Sequence, residues 1–232
     1  QLGWSSANTE WSVSMTHADN QLTGNGLVPE AMLESRRRSV YTYPDETDPT
    51  LNFIKLAGSH DFSNGWTLAG NVYYRRLRLD TFNGDAEYDD DDDQYEGEAR
   101  RTRSTQTTTG IGLQLARDGH WGGMRNRFAV GVNVDHGKTR FTQSEQEGEF
   151  TADRGIEAEG ASELNTSVVG RNRYTSLYVT DVISLTDAVD LTVSARYMVA
   201  RVSIGDRTGE EPELNGSHRF SRVSPAIGAT WR

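Results

Sequence analysis

The chain has 232 residues, of which 34% are hydrophobic, and a formal net charge of −10. The mean hydropathy is −0.69, and no run of about 18 apolar residues occurs, which excludes a protein that crosses a membrane by helices. The negative charge excludes a general nucleic-acid-binding protein, because that function needs a basic surface. The absence of cysteine excludes disulfides, thiolate metal sites and cysteine nucleophiles.

The amino terminus is Gln1, with no initiator Met, basic segment or apolar segment of a signal peptide after it. We therefore expect that a signal peptide has been removed or lies upstream of a truncated start.

Alternation of apolar and polar residues with a period of two recurs along the chain. In residues 10–18 the odd positions include Trp11, Val13 and Met15, while the even positions are mainly Ser and Thr. Such alternation predicts β-strands with one apolar and one polar face. The predicted strands are residues 1–7, 10–18, 51–62, 66–80, 105–117, 126–136, 174–185, 189–199 and 219–231. Strand 66–80 changes phase near residues 73–76, which indicates either a β-bulge or the point where the strand leaves lipid.

The strand lengths favour a membrane barrel. Most of these strands reach or exceed the about 9 to 11 residues that a tilted transmembrane strand needs, whereas soluble strands average about 5 to 6.

The predicted connections alternate between short and long. Short ones lie at residues 8–9, 63–65, 118–124 and 186–188, and long ones at 20–50, 81–103, 142–173 and 206–217. A transmembrane barrel has this alternation, with short periplasmic turns and long extracellular loops. The fold class we predict is all-β, an antiparallel transmembrane β-barrel represented by about nine strands.

Aromatic residues cluster at the strand ends next to short connections, where an interfacial girdle is expected. They are Trp4, Trp11, Phe62, Trp66, Trp121, Phe128 and Trp231. The alternative is that these side chains pack the core of a β-sandwich.

Three segments carry a family resemblance. They are "YTSLYVTDVISL" at residues 174–185, "DLTVSARY" at 190–197 and "HRFSRVSPAIGATWR" at 218–232. They resemble strands of TonB-dependent receptors, in which a Tyr-x-x-Asp strand precedes a Leu-Thr-rich strand ending in Arg-Tyr and a later strand reads Phe-Ser-x-x-Ser-Pro-x-Ile-Gly. "DNQLTGNGLVP" at 19–29, with "VYTYPDETDP" after it, is similar to an extracellular loop of the same family.

The resemblance implies a bacterial outer-membrane receptor that imports a scarce solute, often a ferric siderophore, with energy supplied through TonB. It also implies a plug domain, a terminal aromatic residue and about 22 strands, none of which the sequence contains. We therefore expect residues 1–232 to be one arc of the barrel wall. The implied partners are outer-membrane lipid and lipopolysaccharide, the TonB complex through the absent plug, and an iron chelate.

Candidate ligand-binding residues lie in the predicted outer loops. Arginine predominates, because Lys55 and Lys138 are the only lysines among 24 basic residues. A guanidinium group grips phosphate or carboxylate with two hydrogen bonds, so arginines near the outer rim would bind lipopolysaccharide or an anionic chelate; biased codon usage explains the arginines equally well. Tyr side chains suit planar or chelated ligands, and ordinary loop packing explains them equally well. The candidates are Arg36, Arg37, Arg38, Tyr41, Tyr43, Tyr88 and Tyr95.

The run Asp89 to Asp93 is either a calcium-binding cluster or, as its irregular spacing favours, a solvated acidic loop. The five histidines are scattered without metal-ligand spacing, and no nucleophile and base are paired. We predict no catalytic site, no metal and no cofactor. Two other functions remain open: a passive porin or structural barrel, and a soluble β-rich binding module.

Overall fold

A computed structural model describes residues 1–24, 26–89 and 94–231 as one antiparallel β-sheet. The strands are β1 Leu2–Ser5, β2 Thr9–Asp19, β3 Leu22–Gly24, β4 Asp45–Asp61, β5 Trp66–Asp89, β6 Gln94–Trp121, β7 Met124–Phe150, β8 Ile156–Ala158, β9 Glu163–Ser184, β10 Val189–Asp206 and β11 Gly216–Trp231. A short helix, α1, covers Glu30–Ser35, and a 3₁₀ turn covers Pro212–Leu214. None of the helices in these ranges is long and apolar enough to cross a membrane.

The strands follow one another as a meander. The pairing order is β1-β2-β4-β5-β6-β7-β9-β10-β11, with β3 added to β4 and β8 added to β7. In the described ranges β1 and β11 do not pair with each other, so the sheet has two open edges. The nine strands of this pairing path agree with the nine predicted from alternation, although β1 has only 4 residues.

One face of this sheet is apolar and exposed. Register pairs Val72 with Ile111 and Ile111 with Val134, so their side chains share a face. Ile111 is 49% exposed and Leu177 is 55% exposed. Over the described residues the buried hydrophobic set is limited to Ala99, Ala116, Ala129, Val169, Ile183 and Ala200. A sandwich core is therefore absent from this part of the chain, and the apolar side chains need another apolar medium.

The opposite face is polar and concave. A concavity of about 660 Å³ is lined by residues from seven strands, among them Ser12, Asn71, Gln114, Asn133 and Tyr178. Because successive side chains alternate between faces, each strand supplies both the apolar surface and this wet one.

Two tyrosines on the polar face each bridge three strands across a glycine. Tyr73 of β5 lies over Gly110 of β6 and donates to Asp135 of β7 at 2.6 Å. Tyr178 of β9 lies over Gly131 of β7 and donates to Gln114 of β6 at 2.8 Å. A Cβ on either glycine would overlap the tyrosine ring, so the absence of a side chain lets each ring reach the third strand.

The predicted long connections at 81–103 and 142–173 are wrong, since most of these residues extend the strands. Strand β6 has 28 residues and β7 has 27. The pairing of β5 with β4 and with β6 is continuous, so the phase change near Tyr73 is not a β-bulge. A shift in register occurs instead between β7 and β9, at Gln143 and Ser144. Beyond Arg76 both faces of β5 carry polar groups, as expected where a strand has left lipid.

The predicted aromatic girdle is present at the short turns. Trp4 and Trp11 stack across the β1–β2 turn with centroids 6.5 Å apart. Trp66 begins β5, Trp121 ends β6 and Trp231 ends β11. This edge of the sheet therefore carries amphipathic rings that suit a membrane interface.

Candidate functional site

A loop of residues 26–44 is anchored over the extended strand tips opposite the aromatic girdle. Its anchor is the carboxylate of Asp45, which accepts hydrogen bonds from Thr42 Oγ1 at 3.0 and 3.1 Å, from the Gly26 amide at 2.9 Å and from the Gly84 amide at 3.1 Å. Thr42 is 3% exposed and Asp45 is 5% exposed. We call residues 26–44 the anchored loop. The buried Asp45 carboxylate holds it in place, because this carboxylate accepts hydrogen bonds both from the loop and from β5.

A second contact ties the anchored loop to the turn after β7. Arg154 donates from Nε to the Tyr41 carbonyl at 2.7 Å, and its guanidinium lies 5.0 Å from the Tyr41 ring centroid. The Tyr41 ring also contacts Phe150 at 6.0 Å between centroids. The Tyr43 amide donates to the Arg154 carbonyl at 2.8 Å, while the Tyr43 side chain is 52% exposed. The structure thus packs Tyr41 into the loop and leaves the Tyr43 side chain exposed.

The remaining predicted site residues fall into two groups. Arg36, Arg37 and Arg38 follow α1, are exposed, and form no salt bridge within the described ranges. Tyr88 and Tyr95 are paired in the backbone register of β5 and β6. The residues Asp90 to Asp93 of the acidic run lie outside the described residues.

Sequence reasoning missed a charge cluster around Arg100 on the polar face of the strand tips. The Arg100 guanidinium lies 3.3 Å from Asp85, 3.1 Å from Glu98 and 2.9 Å from Glu145. These groups come from three strands, and Glu145 lies 45 residues from Arg100 in sequence. This network of one cation and three carboxylates links the tips of the three strands and has a formal net charge of −2.

The β10–β11 connection is organised by Asp206, the last residue of β10. Its carboxylate accepts the amides of Thr208 at 3.0 Å, Gly209 at 2.6 Å and Glu211 at 3.3 Å, and the Thr208 hydroxyl at 2.8 Å. Desolvation raises the pKa of Asp206, but these hydrogen bonds outweigh it and lower the pKa to about 2. The hydrogen-bonded conformation of the β10–β11 connection is therefore favoured when the Asp206 carboxylate is ionised.

Replacing Asp206 by Asn is expected to speed amide hydrogen exchange at Gly209 and Glu211 severalfold at neutral pH, because an amide oxygen is a weaker acceptor than a carboxylate. Because the pKa of Asp206 is lower in the folded state, its hydrogen bonds stabilise the connection fully at pH values above the ordinary pKa of 3.8. This stabilisation is lost as the pH falls toward about 2. Hydrogen exchange measured by mass spectrometry checks this, with Asp187→Asn in the opposite short turn as the control. Equal exchange in the Asp206 variant and the wild type at neutral pH would contradict it.

Fold and site together define an arc of barrel wall, apolar on its convex face and polar inside, with a structured cap of loop and strand tips at one end. Comparison with known families agrees: the family described as "TonB dependent receptor-like, beta-barrel" matches residues 2–232. The chain belongs to this family, whose members are receptors of the Gram-negative outer membrane.

Solved receptors share the fold at low sequence identity. The unliganded ferric citrate transporter FecA matches with a TM-score of 0.78 at 11% identity, over 98% of this chain and 32% of its own. The Pseudomonas aeruginosa receptor FpvA, solved with bound ferric pyoverdine, gives 0.76 at 15% identity over 98% and 32%. BauA, the ferric preacinetobactin receptor of Acinetobacter baumannii, gives 0.73 at 10% over 98% and 36%. The chain therefore spans about a third of the length of these receptors. No curated protein matches its sequence.

Proposed function

We propose that this chain is part of an outer-membrane active-transport receptor that binds and imports a scarce solute, a ferric siderophore or a similar chelate, with energy coupled through TonB. The observation that carries the proposal is the match of residues 2–232 to the TonB-dependent receptor barrel family. The polar, concave wall supports it, as does the anchored loop, which Asp45 and Arg154 hold against the outward side of the strand tips.

The apolar convex face supports placement in a membrane. Val72, Ile111 and Val134 form one row of that face, and the row beside it contains Leu113, Val132 and Leu177. Asp181 interrupts this face near the short-turn end, where its carboxylate accepts a bond from Asn126 at 3.1 Å. A charge costs least near an interface, so its position agrees with the short turns lying at the periplasmic boundary.

The outer surface offers suitable contacts for a chelate. We keep Arg36, Arg37, Arg38, Tyr41, Tyr43, Tyr88 and Tyr95 as proposed contacts, with Tyr41 acting through its packing against Arg154 and the exposed Tyr43 touching the ligand directly. The neighbouring receptors are described with ferric citrate, ferric preacinetobactin and ferric pyoverdine, which supports an iron chelate as the ligand class.

The open edges at β1 and β11 support the view that more of the wall belongs to the functional protein, since unpaired edges invite aggregation. We propose that further strands close the barrel and that a plug domain fills it, bears the contact with TonB and moves when energy is supplied.

The test is uptake of iron-55 bound to a panel of siderophores by iron-starved cells that express the full-length protein. At least one chelate is expected to enter only when the protein is present, and this uptake is expected to stop when TonB is deleted. Uptake that persists without TonB would show a passive porin. If no chelate is taken up but another solute enters in a TonB-dependent manner, the ligand is not an iron chelate.

A further inference from the structure

Basic residues form a row on the apolar face of the sheet, immediately beyond the band of apolar side chains. On β5, β7, β9, β10 and β11 the first cation lies two or four residues past the last apolar position of that face. The register places these cations on the same face as Ile111 and Leu177. We call the following eight residues the basic belt: Arg76, Arg78, Lys138, Arg140, Arg171, Arg173, Arg201 and Arg219.

Like charges face each other directly within the belt. Lys138 is opposite Arg171, Arg173 is opposite Arg201, and Arg201 is opposite Arg219. Side chains directly opposite on antiparallel strands have Cβ atoms about 4.5 to 5.5 Å apart, and like charges in such pairs are destabilising. The sheet therefore holds its cations together against their mutual repulsion.

Within the described residues, acids do little to offset this repulsion. Arg78 pairs with Asp80 at 2.5 Å, and no other residue of the belt forms a salt bridge in those ranges. Arg173, Arg201 and Arg219 are all exposed. The side chains between the belt and the apolar band are Tyr74, Thr109, His136, Thr175 and Ser221, none of which carries a negative charge.

The neighbouring surfaces restrict what can cover the belt. A ligand must place several negative groups against arginines and, in the same orientation, an apolar body against the adjoining band. A lipid with phosphates on its headgroup has this arrangement, because its acyl chains follow the apolar band and its phosphates reach the level where the band ends. Guanidinium groups bind such phosphates with two hydrogen bonds each.

We propose that the basic belt binds the headgroup phosphates of an outer-leaflet lipid of the lipopolysaccharide type, with Arg173, Arg201 and Arg219 as its centre. The inference rests on the outer-membrane placement proposed above and goes beyond solute uptake. Lipid phosphate supplies the counter-charge that the fold itself lacks at these three positions.

The test uses the full-length protein in detergent and purified lipid A as the probe, with retained lipid counted by native mass spectrometry. Replacing Arg173, Arg201 and Arg219 together by Gln is expected to weaken lipid A binding on the order of a hundredfold, since each Lys or Arg near an anionic lipid surface contributes roughly a fivefold change. The control is the triple change of Arg117, Arg125 and Arg127 to Gln, which removes the same charge from exposed arginines at the short-turn end of the sheet and is expected to leave lipid A binding unchanged.

Three further measurements separate lipid binding from folding and from solute uptake. The triple change to Lys keeps the charges and is expected to retain most binding, while the Gln variant, freed of like-charge repulsion, is expected to melt no lower than the wild type in lipid-free detergent. Lipid A stripped of its phosphates is expected to bind no better to the wild type than to the Gln variant. Equal lipid A binding by wild type and Gln variant, or undiminished binding of the dephosphorylated lipid, would overturn the proposal, whether or not the chelate is imported.

Discussion

Replacing Gly131 by alanine is expected to lower the stability of the barrel wall by about 1 to 3 kcal/mol, the usual cost of forcing extra volume into a close contact. The new methyl group would overlap the Tyr178 ring and separate its hydroxyl from Gln114. Gly110→Ala is expected to act in the same way, through the Tyr73 ring and Asp135. Urea unfolding of the full-length protein in lipid vesicles, followed by tryptophan fluorescence, measures both effects.

The matched control is Gly170→Ala in β9, a strand paired on both sides, because the nearest atom to a Cβ built there is the Ser203 carbonyl oxygen at 4.0 Å. Its stability should change by less than about 0.5 kcal/mol or rise slightly, since alanine restricts the unfolded chain. Combining Gly131→Ala with Tyr178→Ala tests the mechanism: the double variant should be less destabilised than the sum of its two single variants. Strict additivity would show that the ring does not collide with the methyl group.

Replacing Asp45 by alanine is expected to release the anchored loop and to reduce affinity for the imported solute about tenfold or more, because a loop that must be ordered on binding weakens the complex. The change removes the acceptor for Thr42 and for the amides of Gly26 and Gly84. Loss of partners for buried polar groups costs about 1 to 3 kcal/mol for each group. Hydrogen exchange over residues 26–44 and titration with the transported chelate measure the two effects.

Asp19→Ala supplies the comparison for Asp45. Asp19 is exposed and accepts one hydrogen bond, from Thr50 at 3.2 Å. This variant should leave exchange in the anchored loop and the affinity near the wild-type values. Unchanged protection of residues 26–44 in the Asp45 variant would show that Arg154 alone holds the loop.

The sequence predicts the membrane-embedded part of this fold well because lipid imposes a pattern on it. Val130, Val132 and Val134 alternate with Ala129, Gly131 and Asn133 since one face meets acyl chains and the other meets water. Family membership, inferred from strands such as 190–197, is confirmed by the match over residues 2–232.

The extended strand tips were not predictable by the same means. In residues 99–109 both faces of β6 carry Thr, Arg, Ser or Gln, so hydrophobicity has no period although backbone pairing with β5 and β7 continues. Composition there resembles a loop. The hydrogen-bond ladder that makes it a strand depends on neighbours in space and leaves no apolar signature.

The candidate site was predicted only in part, because its contacts join distant segments. Arg154 lies 113 residues from Tyr41, and nothing in either local sequence pairs them. The arginines of the basic belt were visible individually, but their common face became evident only from the register of five strands.

The length of β6 and β7 has a consequence for how a solute first meets the cell surface. A 28-residue strand is about 90 Å long, and a membrane crossing uses about 9 to 11 of its residues. More than half of β6 and of β7 therefore extends beyond the bilayer as paired β-sheet and not as an irregular loop. Under the proposed function, the solute would then be captured far above the lipid by a surface that is already ordered, which would reduce the entropy lost on binding.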